Sequence, residues 1–233
     1  MTTVFVPGFT QTKASWAPVI ECLRRVPDPV AVDVPGGLDF VSTAHAIGDA
    51  GRAAYVGYSM GGRLCLRLAL DRPEVVRRLV LVSTSPGIAD ARRRAARHAA
   101  DEELAIEIER GGVEMFLERW LAQPMFSTLP RDAAALDDRK RAHTVRSLTH
   151  ALRTLGQGAQ EPLWARLPDL TMPVLLVAGS RDEKYVAIAR AMTDLIDQHA
   201  SLRVCAGIGH AAHLEDPNAV AAVLEEFHDR HPW

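Results

Sequence analysis

Cysteine is scarce: three occur in 233 residues, Cys22, Cys65 and Cys205, at wide spacing and with no CxxC pair. An odd, scattered set argues against a disulfide framework and fits a reduced, cytoplasmic setting. Long apolar runs are missing too. No stretch approaches the ~20 residues that cross a bilayer, and the opening "MTTVFVPGFT" lacks the basic and apolar regions of a secretory leader. Neither sign of charge dominates. The formal net charge is −2 and the one dense basic run covers residues 92–97, so the charge balance gives no reason to expect nucleic acid. There is no GxGxxG after a strand, no P-loop and no Cys/His/carboxylate cluster at metal-ligand spacing. No cofactor or metal is expected. The sequence does not reveal the oligomeric state.

What is present is an alternation. Short β-branched runs at 2–6, 29–34, 52–58 and 76–84 read as strands, and helical patterns at 15–26, 40–51 and 61–73 separate them. Near-continuous apolar strands between helices predict an α/β fold: a mostly parallel sheet with helices on both faces. From Gly87 to Leu167 the strand pattern stops, and Ala, Arg, Glu and Leu dominate. The alternation returns with a strand at 172–180, a strand and loop at 201–210, and helices at 184–196 and 218–230. The expected organisation is a core of residues 1–86 and 168–233 with a helical cap insertion at 87–167. That cap would sit over the carboxyl edge of the sheet, where open α/β sheets bind ligands.

Within this frame "GYSMG", residues 57–61, falls between a predicted strand and a predicted helix. It matches G-x-S-x-G, the sharp strand–turn–helix that exposes a nucleophilic serine. A serine hydroxyl is a weak base and nucleophile unless a histidine takes its proton and an acid orients that histidine. In this fold the chain order is Ser, then Asp or Glu, then His. Downstream, Asp182 and His210 each follow a predicted strand, as Ser59 does. Glu183 is the rival acid and His213 the rival base. An oxyanion site needs two backbone N–H groups. Met60, after the serine, supplies one, and Phe9 in the loop after the first strand is the expected second.

These residues together resemble the α/β-hydrolase superfamily over nearly the whole chain. The segments "GFTQT", "GYSMGGRL", "SPGIADARRRAAR", "FLERWLAQPMF", "GQGAQEPLW", "AGSRDEKY" and "GHAAHLEDP" resemble the 2-succinyl-6-hydroxy-2,4-cyclohexadiene-1-carboxylate synthases of menaquinone biosynthesis. That resemblance implies a lyase that eliminates pyruvate from a polycarboxylated cyclohexene, with the triad acting as a base. It implies that Arg63 and Arg97 bind carboxylates and that Tyr58 and Trp120 line the pocket. Read alone, Arg97 is as well explained by an ion pair with Asp101, and Trp120 by core packing. The chain departs from the family where Pro7 stands for the usual histidine of the first loop. It departs again at "PGGLDF" after the second strand, and a late cap arginine falls on Arg139, Lys140 or Arg141. The competing functions are a carboxylesterase or carbon–carbon hydrolase with Ser59 as covalent nucleophile, and a ligand receptor on a hydrolase scaffold. The expected partner is a small, carboxylated substrate.

Overall fold

The structure is a computed structural model that describes residues 2–232. Six strands form one sheet in the order β2-β1-β3-β4-β5-β6: β1 Thr3–Val6, β2 Pro29–Ala31, β3 Ala53–Tyr58, β4 Val76–Val82, β5 Val174–Gly179 and β6 Ala200–Cys205. Every pairing is parallel. The order reverses between β1 and β3, so the loops after these strands diverge and leave a crevice at their carboxyl ends.

Alternation along the strands builds two apolar layers. Val4, Val6, Tyr55, Leu79, Leu81, Val174 and Leu176 face one side with α2 (Phe40–Ile47), α3 (Met60–Asp71) and α7 (Glu183–Ile196). Phe5, Val56, Val80, Val82, Leu175 and Val177 face the other, against α1 (Ala17–Cys22), α8 (Ala212–Glu215) and α9 (Pro217–Arg230). Each fully buried aliphatic side chain contributes ~1.5–3 kcal/mol. α3 therefore sits on the core as a fixed platform for whatever its N-terminus carries.

Between β4 and β5 the chain is helical: α4 Ala91–Leu121, α5 Leu136–Ala142 and α6 Val145–Leu155. The ends of this insertion are tied together, since the Leu163 N–H donates to the Pro86 carbonyl at 2.7 Å and Trp164 Nε1 to the Gly87 carbonyl at 2.9 Å. Ala105, Ile108, Phe116, Leu117, Leu148 and Leu152 give it a small core of its own. Among the described residues no helix is long and apolar enough to cross a membrane.

Three expectations change at the boundaries. The helix expected over 15–26 begins as a 3-10 turn and ends at Cys22. The N–H groups of Arg24 and Arg25 donate instead to the carboxylate of Glu225 on α9, a partner 200 residues away. The strand expected over 29–34 stops at Ala31, because it pairs with β1 alone at the sheet edge. The Gly111-Gly112 pair bends α4 rather than ending it; Gly112 takes φ 78°, and helix continues on both sides.

Candidate active site

Ser59 follows β3 and caps α3 with φ 49° and ψ −107°, a strained backbone for a residue with a side chain. Such strain costs on the order of 1–3 kcal/mol and persists only where its surroundings enforce it. Here glycine enforces it. A Cβ on Gly61 would stand 2.4 Å from the carbonyl oxygens of Val6 and Pro7, and one on Gly57 would stand 2.6 Å from the Gly61 carbonyl and the Gly62 backbone. The turn closes only without those side chains, and it holds Ser59 Oγ above the strand ends.

Two loops complete the arrangement. Asp182 follows β5 and His210 follows β6. His210 Nδ1–H donates to Asp182 Oδ2 at 2.6 Å, and Ser59 Oγ lies 3.3 Å from His210 Nε2. The second contact is the longer of the two and lies within hydrogen-bond reach. The imidazole is 2% exposed and enclosed by aromatic rings, Tyr185 at 4.6 Å, Tyr58 at 5.4 Å and Phe126 at 6.0 Å between centroids. Its backbone is clamped as well. Glu215 on α8 accepts from the N–H of Gly209 at 2.7 Å and of Ala211 at 3.1 Å, on either side of the histidine. The sequence reading missed Glu215 in this role, because α8 is a single turn with no periodicity to read.

The rivals fall outside the site. Glu183 is exposed in the first turn of α7 and does not line the cavity. His213 is fully buried between Tyr58 and Trp16 and donates from Nε2 to Gln11 Oε1 at 3.2 Å. Burial holds its pKa well below the usual histidine range, and the nearby Arg139 charge adds to the effect.

A cavity of about 500 Å³ opens over Ser59 and reaches up into the helical insertion. Phe9, Tyr58, Met60 and Trp120 all line it. Met60 is the first residue of α3, where backbone N–H groups lack helical partners and the dipole favours negative charge. Trp120 packs edge-on to Phe9 at 5.1 Å while facing the cavity, so core packing and pocket lining hold together. Burial raises the Tyr58 hydroxyl well above its ordinary pKa.

The charges in this cavity do not cancel. Arg119 pairs with Glu107 at 3.0 Å and Arg97 with Asp101 at 2.7 Å. Asp101 also accepts from the Gly158 N–H, so the ion-pair reading of Arg97 describes its contacts, although it lines the cavity too. Arg63 is different. It is 5% exposed, and its guanidinium donates to Gln160 Oε1 at 2.8 Å and the Leu155 carbonyl at 2.7 Å, both neutral. No carboxylate lies within ion-pairing distance of it among the described residues. Burial draws its pKa down to about 10, and it remains charged at neutral pH. Lys184, at the cavity mouth over the Tyr185 ring, likewise has no ion pair among the described residues. Arg119, Lys184 and Tyr185 were not assigned from the sequence, although the last two stand two and three positions after Asp182 in "RDEKY". Of the three late cap candidates, Lys140 and Arg141 pair with acids on the outer face. Arg139 turns inward but does not line the cavity.

Residues 3–223 match the α/β hydrolase family. The chain belongs to the α/β-hydrolase family. It is an enzyme of that superfamily, and some of its curated relatives align over nearly all of its length. A Bacillus subtilis protein is 32% identical over 96% of this chain and 89% of its own length. The 2-succinyl-6-hydroxy-2,4-cyclohexadiene-1-carboxylate synthase of Enterobacter sp. (strain 638) is 30% identical over 96% of this chain and 90% of its own. Among solved structures, MenH from S. aureus superposes with a TM-score of 0.92 at 26% identity, covering 99% of this chain and 94% of that one. A thermophilic esterase from Thermogutta terrifontis reaches 0.76 at 17% identity, over 100% of this chain and 91% of that one, which speaks for the fold alone.

Proposed function

We propose that this enzyme is a 2-succinyl-6-hydroxy-2,4-cyclohexadiene-1-carboxylate synthase, a lyase of menaquinone biosynthesis that releases pyruvate from a polycarboxylated cyclohexene. The observation that carries the reading is Arg63: a buried cation whose hydrogen-bond partners among the described residues are neutral, in the same cavity as Ser59 and His210. An uncompensated buried charge is costly. A substrate carboxylate would relieve that cost and take the planar, two-pronged contact that guanidinium offers. A pocket built for neutral esters has no use for it. The naming of the Enterobacter relative points the same way.

In this mechanism Asp182 fixes the tautomer of His210, and His210 draws the proton of Ser59, making its oxygen basic. Ser59 removes a proton from the ring carbon beside a carbonyl. The electron pair left behind moves into the ring as a new double bond, and the carbon–oxygen bond to the pyruvate-yielding group breaks. That group departs with the electron pair of the broken carbon–oxygen bond as the enolate of pyruvate, and takes up a proton at carbon to become pyruvate. Charge gathering on the carbonyl oxygen is met by the N–H groups of Phe9 and Met60. Arg63 and Arg97 hold carboxylates, while Tyr58 and Trp120 shape the cavity around the ring.

The test offers the protein two substrates in parallel, the enolpyruvyl cyclohexene intermediate and small neutral aryl esters. Fast pyruvate release with negligible ester turnover is the expected result. Efficient ester turnover without pyruvate would replace the lyase with a carboxylesterase that uses Ser59 as covalent nucleophile.

A further inference from the structure

The loop after β1, which carries Phe9, is held by the helical insertion. Thr10 is 2% exposed and takes φ 65°, a left-handed conformation that β-branched residues avoid. Two side chains from α5 and its end reach it. Arg139 Nη1 donates to Thr10 Oγ1 at 2.5 Å, while Arg139 Nε donates to the Ala134 carbonyl at 2.7 Å. His143, which ends the same helix, has its ring beside the Thr10 backbone. From the core side, Gln11 Oε1 accepts from the Gly8 N–H at 3.3 Å and from His213 at 3.2 Å. Phe9 lies between these two anchors.

Arg139 is 5% exposed, has no carboxylate partner among the described residues and does not line the cavity. Its charge is directed to the Thr10 hydroxyl on the β1 loop and to the Ala134 carbonyl just ahead of its own helix, so it ties the loop to the insertion. A buried guanidinium that only filled space would be matched or bettered by an apolar side chain. We infer that Arg139 is a positioning residue: it locks Thr10 in its left-handed turn and so aims the Phe9 N–H at the oxyanion position. Pro7, at the start of the loop, has no N–H with which to do so from the β1 side. The inference rests on Phe9 being an oxyanion donor, and it assigns Arg139 to the loop rather than to a substrate carboxylate.

The test compares Arg139→Met, Arg139→Lys and Thr10→Val with the parent enzyme on the carboxylated cyclohexene and on a neutral aryl ester. Thr10→Val keeps the shape and removes the acceptor, so it carries the test if Arg139→Met does not fold. A misaimed oxyanion donor is expected to lower kcat by about 10–100-fold on every substrate the parent turns over. KM should stay within about threefold, with Arg139→Lys recovering part of the loss. A KM increase confined to the carboxylated substrate would make Arg139 a substrate clamp and overturn the assignment. Unchanged kcat with only a lower Tm would leave it a structural residue, again overturning it. A parent enzyme inactive on both substrates would remove the oxyanion reading and this inference with it. An active parent whose variants keep full kcat would remove this inference alone.

Discussion

The two walls of the cavity are built on opposite principles. The sheet wall carries Ser59, Asp182 and His210 on turns that backbone geometry holds: elbow glycines where a Cβ would stand only 2.4–2.6 Å from neighbouring backbone, and two N–H groups clamped by Glu215 beside the histidine. The helical wall carries charge instead. Arg63 rises from the core into it and finds its hydrogen bonds at Leu155 and Gln160, while Arg97, Asp101, Glu107 and Arg119 come from α4. Under the proposed function the sheet wall supplies the reacting groups and the helical wall the charges that select the molecule. Chemistry and specificity are then separable by substitution.

The sharpest break targets the sheet wall. His210→Ala or Ser59→Ala should lower kcat by roughly 10⁴-fold or more on any substrate, with the two losses non-additive because the residues act as a unit. Steady-state rates of the single and double variants check this. Additive losses would mean that the two groups work independently.

Next comes the helical wall. Arg63→Ala should lower kcat/KM for the carboxylated ring by roughly 10²–10³-fold, the range for losing one partner of a desolvated charge pair. Turnover of a neutral ester should change only a few-fold. Equal losses on both substrates would erase the division of labour between the walls.

A third variant asks how rigid the elbow is. Gly61→Ala forces a Cβ against the Val6 and Pro7 carbonyls, in backbone that cannot yield as a side chain can. A loss of about 3 kcal/mol, or roughly 10 °C in Tm for a chain of this size, is expected in a thermal melt. A variant as stable as the parent would show that the elbow relaxes freely.

The smallest effect is titration behind the sheet wall. Burial lowers the His213 pKa well below the ordinary value and brings His228 down to about 4. Both are depressed relative to the unfolded chain, at about 6.5. The unfolded state therefore binds more protons below that pH, and stability falls as the solution is acidified from about 6.5 toward 4. Each group contributes at most about 1.4 kcal/mol per pH unit in that window. Denaturant melts at several pH values check the slope, and His213→Gln should flatten it.

The same contrast explains what could be read from the letters. The elbow was legible because a backbone that only glycine permits leaves a fixed spacing, and Asp182 and His210 because each follows an apolar strand. Arg63 was legible as a residue one turn from Ser59. Its neutral cage was not, since Gln160 lies 97 positions away. Glu215, Arg139 and the early end of α1 depend on partners that meet only after folding, so no local period or motif announces them. Lys184 and Tyr185 stand inside "AGSRDEKY". Their placement at the cavity depends on how α7 leaves β5.

Ser59 as a base that never becomes esterified is the central claim, and the mass of the intact protein during turnover tests it most directly. Acid quenching while pyruvate is being released should return the unmodified chain mass at every time point, with pyruvate release lost in Ser59→Ala. A substrate-derived adduct on Ser59 that forms and decays at the rate of pyruvate release would contradict the account.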